Sequence, residues 1–246
     1  MKRVIKINPK FKSLLPYLET LDENFAQSGT TIYKDRNEVK VMDWNGCLIN
    51  VKKYTIPNVI NRVVYTTLRK PKAVRAYHYA DILRENGIAT PEPIGYRLEK
   101  KGLNLGYSYL VTVHLPSQNM LYEFGEGGIE GREDIIKGLG AFAGKLHDAG
   151  ILHLDFSPGN VLYKRNDEGE IEFNLVDINR LSFGPVSIRK GCASFERLWG
   201  GDDFLDLLSE SYAEARGEKN VEMVKKWIHN YHRRYWSHRS PWVIKK

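Results

Sequence analysis

The stretch EVKVMDWNGCLINVKKY, Glu38 to Tyr54, leaves few folds open to this chain. It reads as two strands meeting at Asn45-Gly46, because both central positions of a two-residue hairpin turn need positive φ and few dipeptides accept it. An antiparallel sheet is therefore expected in the first half. IPNVINRVVYTTLRK reads as a short helix. PKAVRAYHYADILRENG reads as a second, opened by Pro71 and stopped by Gly87, with Ala73, Ala76, Tyr77, Ala80 and Leu83 at helical spacing. ATPEPIGYRLE and YSYLVTVHL return to strand patterns. After Pro116 the chain turns helical: DIIKGLGAFAGKLHDAG, Asp134 to Gly150, has helical spacing and a glycine stop. VLYKRNDEGEIEFNLVDINR reads as two strands around a tight turn, and the chain from Phe195 onward reads as helical. This order predicts an α+β fold of two lobes with a cleft between them, residues 1–115 being β-rich and residues 116–246 a reduced helical lobe.

Between the helix that stops at Gly150 and the second hairpin lies HLDFSPGNVLY, His153 to Tyr163. Its H-x-D-x-x-x-x-N spacing is the one that phosphoryl-transfer enzymes of the protein-kinase type use as a catalytic loop. By residue frequencies alone the pattern arises in about one chain per hundred of this length, so its context decides. A helix precedes it, a hairpin follows, and the hairpin runs into an acid, Asp177, 17 residues after Asn160. In-line phosphoryl transfer needs metal ions to neutralise phosphate charge, a cation on the non-transferred phosphates and a group that orients the attacking hydroxyl. Asp155 fits the last role. Asn160 would bring its amide oxygen to a Mg²⁺, and Asp177 would bridge Mg²⁺ to the β- and γ-phosphates of ATP. His153 braces the loop. A metal site built from His147, His153 and Asp155 has no repeated ligand spacing behind it.

VKKY, GIATPEPIGY, LHDAGILHLDFSPGNVLY and LVDINR resemble the bacterial lipopolysaccharide kinases that phosphorylate heptose or 3-deoxy-manno-octulosonic acid (Kdo) in the inner core. The resemblance runs from Gly29 to Trp199. It implies a protein-kinase-like fold, a nucleotide-binding first lobe and a catalytic second lobe, ATP and Mg²⁺ as cofactors, and a core glycolipid as acceptor. It also implies that Lys52 is the strand lysine on the α- and β-phosphates, with Lys53 as the alternative. Three departures from the pattern stand out. DINR replaces D-F-G, so Asn179 stands where glycine would, and asparagine tolerates left-handed φ. The segment before the hairpin, QSGTTIYKDRNEVKV, offers only Gly29 to cover a phosphate. The helix after Pro71 has no obvious glutamate to pair with Lys52: that position falls on Ala76 or His78, with Asp81 as a substitute.

The surroundings narrow the acceptor. No A-P-E motif follows Asp177 and 69 residues remain after it, which favours a small molecule or glycolipid over a peptide. The formal charge of +7 suits an anionic partner and simple solubility equally. The C-terminal stretch VKKWIHNYHRRYWSHRSPWVIKK interleaves basic residues with tryptophan and tyrosine, a composition that suits an anionic bilayer or lipid head group. The other reading of that stretch is a helix packed on the second lobe with a frayed basic tail. Nothing resembles a nucleic-acid recognition module. The basic start lacks an unbroken apolar core, Gly102 to Tyr122 carries too many polar residues to span a bilayer, and the two distant cysteines, Cys47 and Cys192, fit a reducing compartment. A cytoplasmic enzyme is expected, which the membrane reading of the C-terminal stretch would bring to the inner face of the inner membrane. The alternatives are a minimal protein Ser/Thr kinase and a catalytically dead, kinase-like binding module.

Overall fold

A computed structural model describes residues 2–56, 70–102, 104–126, 128–237 and 239. It divides into two compact units, Met1–Glu85 with Thr90–Pro116, and Asn86–Ala89 with Ser117–Lys246. The second unit claims Asn86–Ala89 through hydrogen bonds: Leu175 N–H donates to the Ala89 carbonyl at 2.9 Å, and Lys145 Nζ to that of Gly87 at 2.7 Å. The helix expected over Ile56 to Lys70 lies, but for its two end residues, outside the described residues.

The first unit is built on an antiparallel six-stranded sheet of order β1-β5-β6-β4-β3-β2. Its strands are β1 (Lys2–Ile7), β2 (Thr30–Lys34), β3 (Glu38–Trp44), β4 (Cys47–Tyr54), β5 (Pro93–Lys101) and β6 (Asn104–Val113). The turn between β3 and β4 is the one that the dipeptide dictates, with φ of 51° at Asn45 and 81° at Gly46. Sequence reading found no structure before Gly29. There β1 pairs along β5, from Lys2 opposite Lys100 to Ile7 opposite Gly95, and two short helices follow, α1 (Leu15–Glu19) and α2 (Leu21–Gln27). Leu14, Leu18, Leu21 and Phe25 from this segment bury against Met42, Ile49, Val51, Tyr109 and Val111 of the sheet. The helix after Pro71 is α3 (Lys72–Glu85), and its whole predicted stripe is buried. Ala73 and Val74 of α3 pack with Tyr54, Leu98 and Leu105 in a separate cluster.

The second unit holds β7 (Asn119–Met120), α4 (Glu133–Asp148), β8 (Ile151–His153), β9 (Val161–Arg165), β10 (Ile171–Leu175), β11 (Leu181–Phe183), α5 (Ile188–Ser194), α6 (Asp202–Ala215) and α7 (Val221–Trp236). β9 and β10 form the expected hairpin, and β8 pairs with β11. Gly140 and Gly144 let α4 cross α6 closely: an added Cβ would sit 2.7 Å from the Ser211 Cβ and 2.6 Å from the Ala215 Cβ. Phe156, Phe195, Leu208 and Tyr212 fill the space beyond, all fully or nearly fully buried.

His147, on the buried face of α4, lies in this core with Nδ1 2.9 Å from the Tyr212 hydroxyl. Burial first, then the nearby charges of Arg216 and Lys190, push its pKa from 6.5 down to about 3. Because the folded value is depressed, the unfolded chain takes the proton first. The stability due to neutral His147 is complete above pH 6.5 and is lost as pH falls from there towards 3. Burial depresses His153 and His232 in the same direction. Each such histidine contributes a slope of up to about 1.4 kcal/mol per pH unit. Urea unfolding at pH 7.5 and 5.5 should therefore show a lower midpoint at 5.5, and His147→Gln should flatten the difference by roughly one histidine's share. A variant as pH-sensitive as the wild type would refute the assignment.

Candidate active site

The residues of H-x-D-x-x-x-x-N all lie in the second unit, where short backbone links hold the loop. α4 ends at Asp148, and Gly150 turns the chain with φ of 70° into β8. Leu154 N–H then donates to the Arg180 carbonyl at 2.9 Å, tying the loop to the segment after Asp177. Val176 N–H reaches the Asn160 carbonyl at 2.9 Å. The loop and the strand end that carries Asp177 are thus one hydrogen-bonded piece.

His153 sits beneath the loop, 1% exposed. Its Nδ1 accepts the Asp155 backbone N–H at 3.1 Å, which requires the proton on Nε2, where the ring faces the Val176 carbonyl at 3.2 Å. Both nitrogens are therefore occupied by backbone, and burial keeps the ring neutral. Asn160 donates its Nδ2 to the Asp155 carbonyl at 2.8 Å, and among the described residues no donor meets its Oδ1. Asp177 has φ of 52° and ψ of 38°, the left-handed region. Asn179, 4% exposed, donates Nδ2 to Asp177 Oδ1 at 2.7 Å. The expectation for Asn179 is corrected here. Asp177, not Asn179, takes the left-handed backbone, and Asn179 serves instead as the hydrogen-bond donor that orients the Asp177 carboxylate.

Sequence reasoning missed two arginines. Arg180 Nη1 lies 3.0 Å from Asp155 Oδ2, and Arg197 Nη1 lies 2.6 Å from Oδ1. Arg180 was in plain view as the last residue of DINR. Arg197 lies 42 residues from Asp155 and carries no local signal.

In the first unit the two candidate lysines face opposite sides of the sheet. Lys53 shares a face with Ile49 and Val51, its Nζ lying 4.2 Å from the Tyr107 ring centre and 5.6 Å from that of Phe25. By the two-residue period of a strand, Lys52 points to the other face. There its Nζ lies 5.4 Å from the ring of Tyr54, which packs on α3. On α3 itself Ala76 is buried, while His78 and Asp81 are exposed. Gly29 has φ of 85° just before β2, and a Cβ there would meet Met42 Cγ at 2.8 Å. Packing against β3 thus explains this glycine, whereas the loop joining β2 to β3 is Asp35, Arg36 and Asn37, at the far end of β2.

The basic C-terminal stretch begins as α7, docked on the second unit. Val224 and Ile228 are buried, Lys225 pairs with Glu210 at 2.7 Å, and His232 Nε2 meets the Leu198 carbonyl at 3.0 Å. Lys226, Arg233 and Arg234 remain exposed. Residues 240–246 lie outside the described residues. Among those described, no helix is long and apolar enough to cross a membrane, and no three His, Cys, Asp or Glu side chains converge as a metal site.

This geometry agrees with what the chain is similar to. It is 22% identical over 196 residues to the KEOPS complex subunit Bud32 of Pyrococcus abyssi (strain GE5 / Orsay), covering 78% of this chain and 83% of that one. It is 27% identical over 123 residues to the 3-deoxy-D-manno-octulosonic acid kinase of Pasteurella multocida (strain Pm70), covering 49% and 50%. Its fold matches the solved structure of WaaP in complex with acyl carrier protein with a TM-score of 0.65 at 15% identity, over 96% of this chain and all of that one. The family model described as Lipopolysaccharide kinase (Kdo/WaaP) matches residues 21–183, well over half the chain and including Lys52, Asp155, Asn160 and Asp177. The α+β kinase-like fold is therefore shown, and this chain is a kinase that belongs to the lipopolysaccharide kinase (Kdo/WaaP) family.

Proposed function

We propose that the protein transfers the γ-phosphate of ATP to a sugar hydroxyl of the lipopolysaccharide inner core, on Kdo or heptose, with Mg²⁺ as the metal. The observation that carries this reading is the single hydrogen-bonded piece bearing Asp155, Asn160 and Asp177, in a chain of the lipopolysaccharide kinase family. Asp155 would align the acceptor hydroxyl and take its proton. Asn160 Oδ1 and the Asp177 carboxylate are hard oxygen donors, the type that Mg²⁺ prefers, and Asn179 already holds one of them in place. Bound Mg²⁺ would neutralise phosphate charge as the phosphoryl group moves. His153 is a positioning residue. The packing reason for Gly29 leaves the Asp35–Asn37 loop as the better candidate to lie over phosphates.

Lys52 would hold the non-transferred phosphates, since it shares its face of the sheet with Tyr54 and α3 while Lys53 is spent on aromatic rings of the other face. Lys52→Met should lower turnover at least about tenfold, a loss of about 1.4 kcal/mol of transition-state stabilisation. Lys53→Met should cost much less, and the reverse order would transfer the role to Lys53.

The exposed Lys226, Arg233 and Arg234 of α7 support contact with an anionic membrane surface, which would put the enzyme at the inner face of the inner membrane. The alternative acceptor is a protein, in a Ser/Thr kinase of minimal architecture. Mass spectrometry of lipid A–core from cells with and without the protein separates the two. Loss of one phosphate from the core on deletion supports the glycolipid acceptor, whereas an unchanged core alongside phosphorylation of protein substrates supports the alternative.

A further inference from the structure

Two arginines on one catalytic aspartate is more than orientation requires. A guanidinium that clamps a carboxylate frequently does so through its fork, two parallel N–H groups on two oxygens. Here each arginine spends a single N–H, both from Nη1: Arg197 on Oδ1 at 2.6 Å and Arg180 on Oδ2 at 3.0 Å. Each guanidinium carries five donors and each carboxylate about four acceptor positions. Both arginines therefore keep donors in hand, and Asp155 keeps lone pairs for a hydroxyl proton. Among the described residues neither guanidinium donates to any other acceptor. Glu196 forms a looser ion pair with Arg197, 3.7 Å from Nε and beyond hydrogen-bond range.

The setting is built to keep this charge in place. The Arg180 carbonyl accepts the Leu154 N–H, which fixes its backbone beside the loop. The Arg197 guanidinium lies 5.3 Å from the ring centre of Tyr235 on α7. The side chains are 54% exposed at Arg180 and 33% at Arg197, so a solute can reach both. Arg180 and Arg197 stand against Asp155 and Glu196, so what the two arginines offer an acceptor is exposed N–H donors beside the Asp155 carboxylate.

We propose that Arg180 and Arg197 form an oxyanion-binding subsite for the acceptor. They would grip a carboxylate or phosphate carried by the molecule whose hydroxyl Asp155 aligns. This rests on the phosphotransferase reading above and adds the chemical class of what is recognised: the acceptor is anionic next to the hydroxyl that reacts. Arginine suits this role because its planar fork matches an oxyanion bidentately.

Two experiments on the full-length protein test it. In the first, the sodium salt of free Kdo (a carboxylate) and inorganic phosphate are titrated separately onto wild type and onto Arg180→Gln, Arg197→Gln and the double variant, followed by NMR of the arginine Nε–H signals. At least one probe should shift the wild-type signals, and the double variant should bind it at least tenfold more weakly, with circular dichroism confirming its fold. Which probe binds tells a sugar-acid carboxylate from a phosphate. If neither binds, or binding survives the double variant, the subsite does not exist. In the second, turnover is measured on core glycolipid, on the same material with its carboxyls reduced to alcohols, and on phosphatase-treated material. The variants should raise the acceptor KM at least tenfold with the KM for ATP unchanged, and should no longer distinguish the intact acceptor from the neutralised one. An equal fall in kcat with every acceptor would reduce the arginines to positioning residues, and a raised KM for ATP would assign them to the nucleotide; either overturns the proposal. Wild type that binds the anion through these arginines yet phosphorylates no core glycolipid would remove the lipopolysaccharide acceptor and leave the anion subsite standing.

Discussion

Asp155→Asn is expected to bind ATP and Mg²⁺ nearly as the wild type does and to turn over on the order of 10³-fold more slowly, within the range that a positioned acid or base contributes. The structure explains why binding should survive. Asn160 is held by the backbone carbonyl of residue 155, and His153 by its backbone N–H. The substitution changes neither. It does remove the negative charge between Arg180 and Arg197, and half of the new amide can only donate, so one arginine loses its partner. The loss should therefore appear in the chemical step. Single-turnover phosphoryl transfer, with ATP affinity measured separately by calorimetry, separates the two. If the variant loses ATP affinity and turnover alike, Asp155 belongs to the nucleotide site and its proposed role is wrong.

How much of this was legible in the sequence follows from the range of each interaction. The Asn45-Gly46 turn is a local matter: two residues must adopt positive φ, and the strands on either side follow. The buried stripe of α3 is equally local, a repeat of about one helical turn. The candidate catalytic loop stood out because the proposed chemistry needs fixed spacing between Asp155 and Asn160. What escaped depends on distant partners. β1 is a strand only because β5 lies beside it, with Lys2 paired to Lys100. Arg197 reaches Asp155 from 42 residues away. Asn179 was misread for a subtler reason. The left-handed residue that the tripeptide needs falls two positions earlier than a glycine would place it, and no pattern of residue types distinguishes an asparagine that bends the chain from one that donates to its neighbour. The C-terminal stretch shows a limit of composition: basic and aromatic residues describe a membrane-facing helix and a docked one equally well, and only the burial of Val224 and Ile228 shows that α7 is docked.

Removing the Asp177 carboxylate should abolish the Mg²⁺ dependence of nucleotide binding. Alanine alone is an ambiguous test, because residue 177 sits at φ of 52° and a residue other than glycine, asparagine or aspartate pays about 1–2 kcal/mol there. Asp177→Asn avoids that strain. Asparagine tolerates the left-handed region, and its amide oxygen can still accept from Asn179, so the change isolates the charge. Both variants should lose about 100-fold or more of the tightening that Mg²⁺ gives to ATP binding. That is at least the 10–100-fold that follows loss of a residue merely supporting a metal ligand. Asn179→Ala should fall at the low end of that range, about tenfold, because Asp177 keeps its charge and loses only its orienting donor. The measurement is the Kd of ATP with and without Mg²⁺ for the three variants and wild type, which needs no acceptor and no turnover. An Asp177→Asn protein that still binds ATP more tightly with Mg²⁺, as wild type does, would remove Asp177 from the metal site. An Asn179→Ala protein as damaged as Asp177→Asn would mean that Asn179 acts on the metal directly and not through the carboxylate.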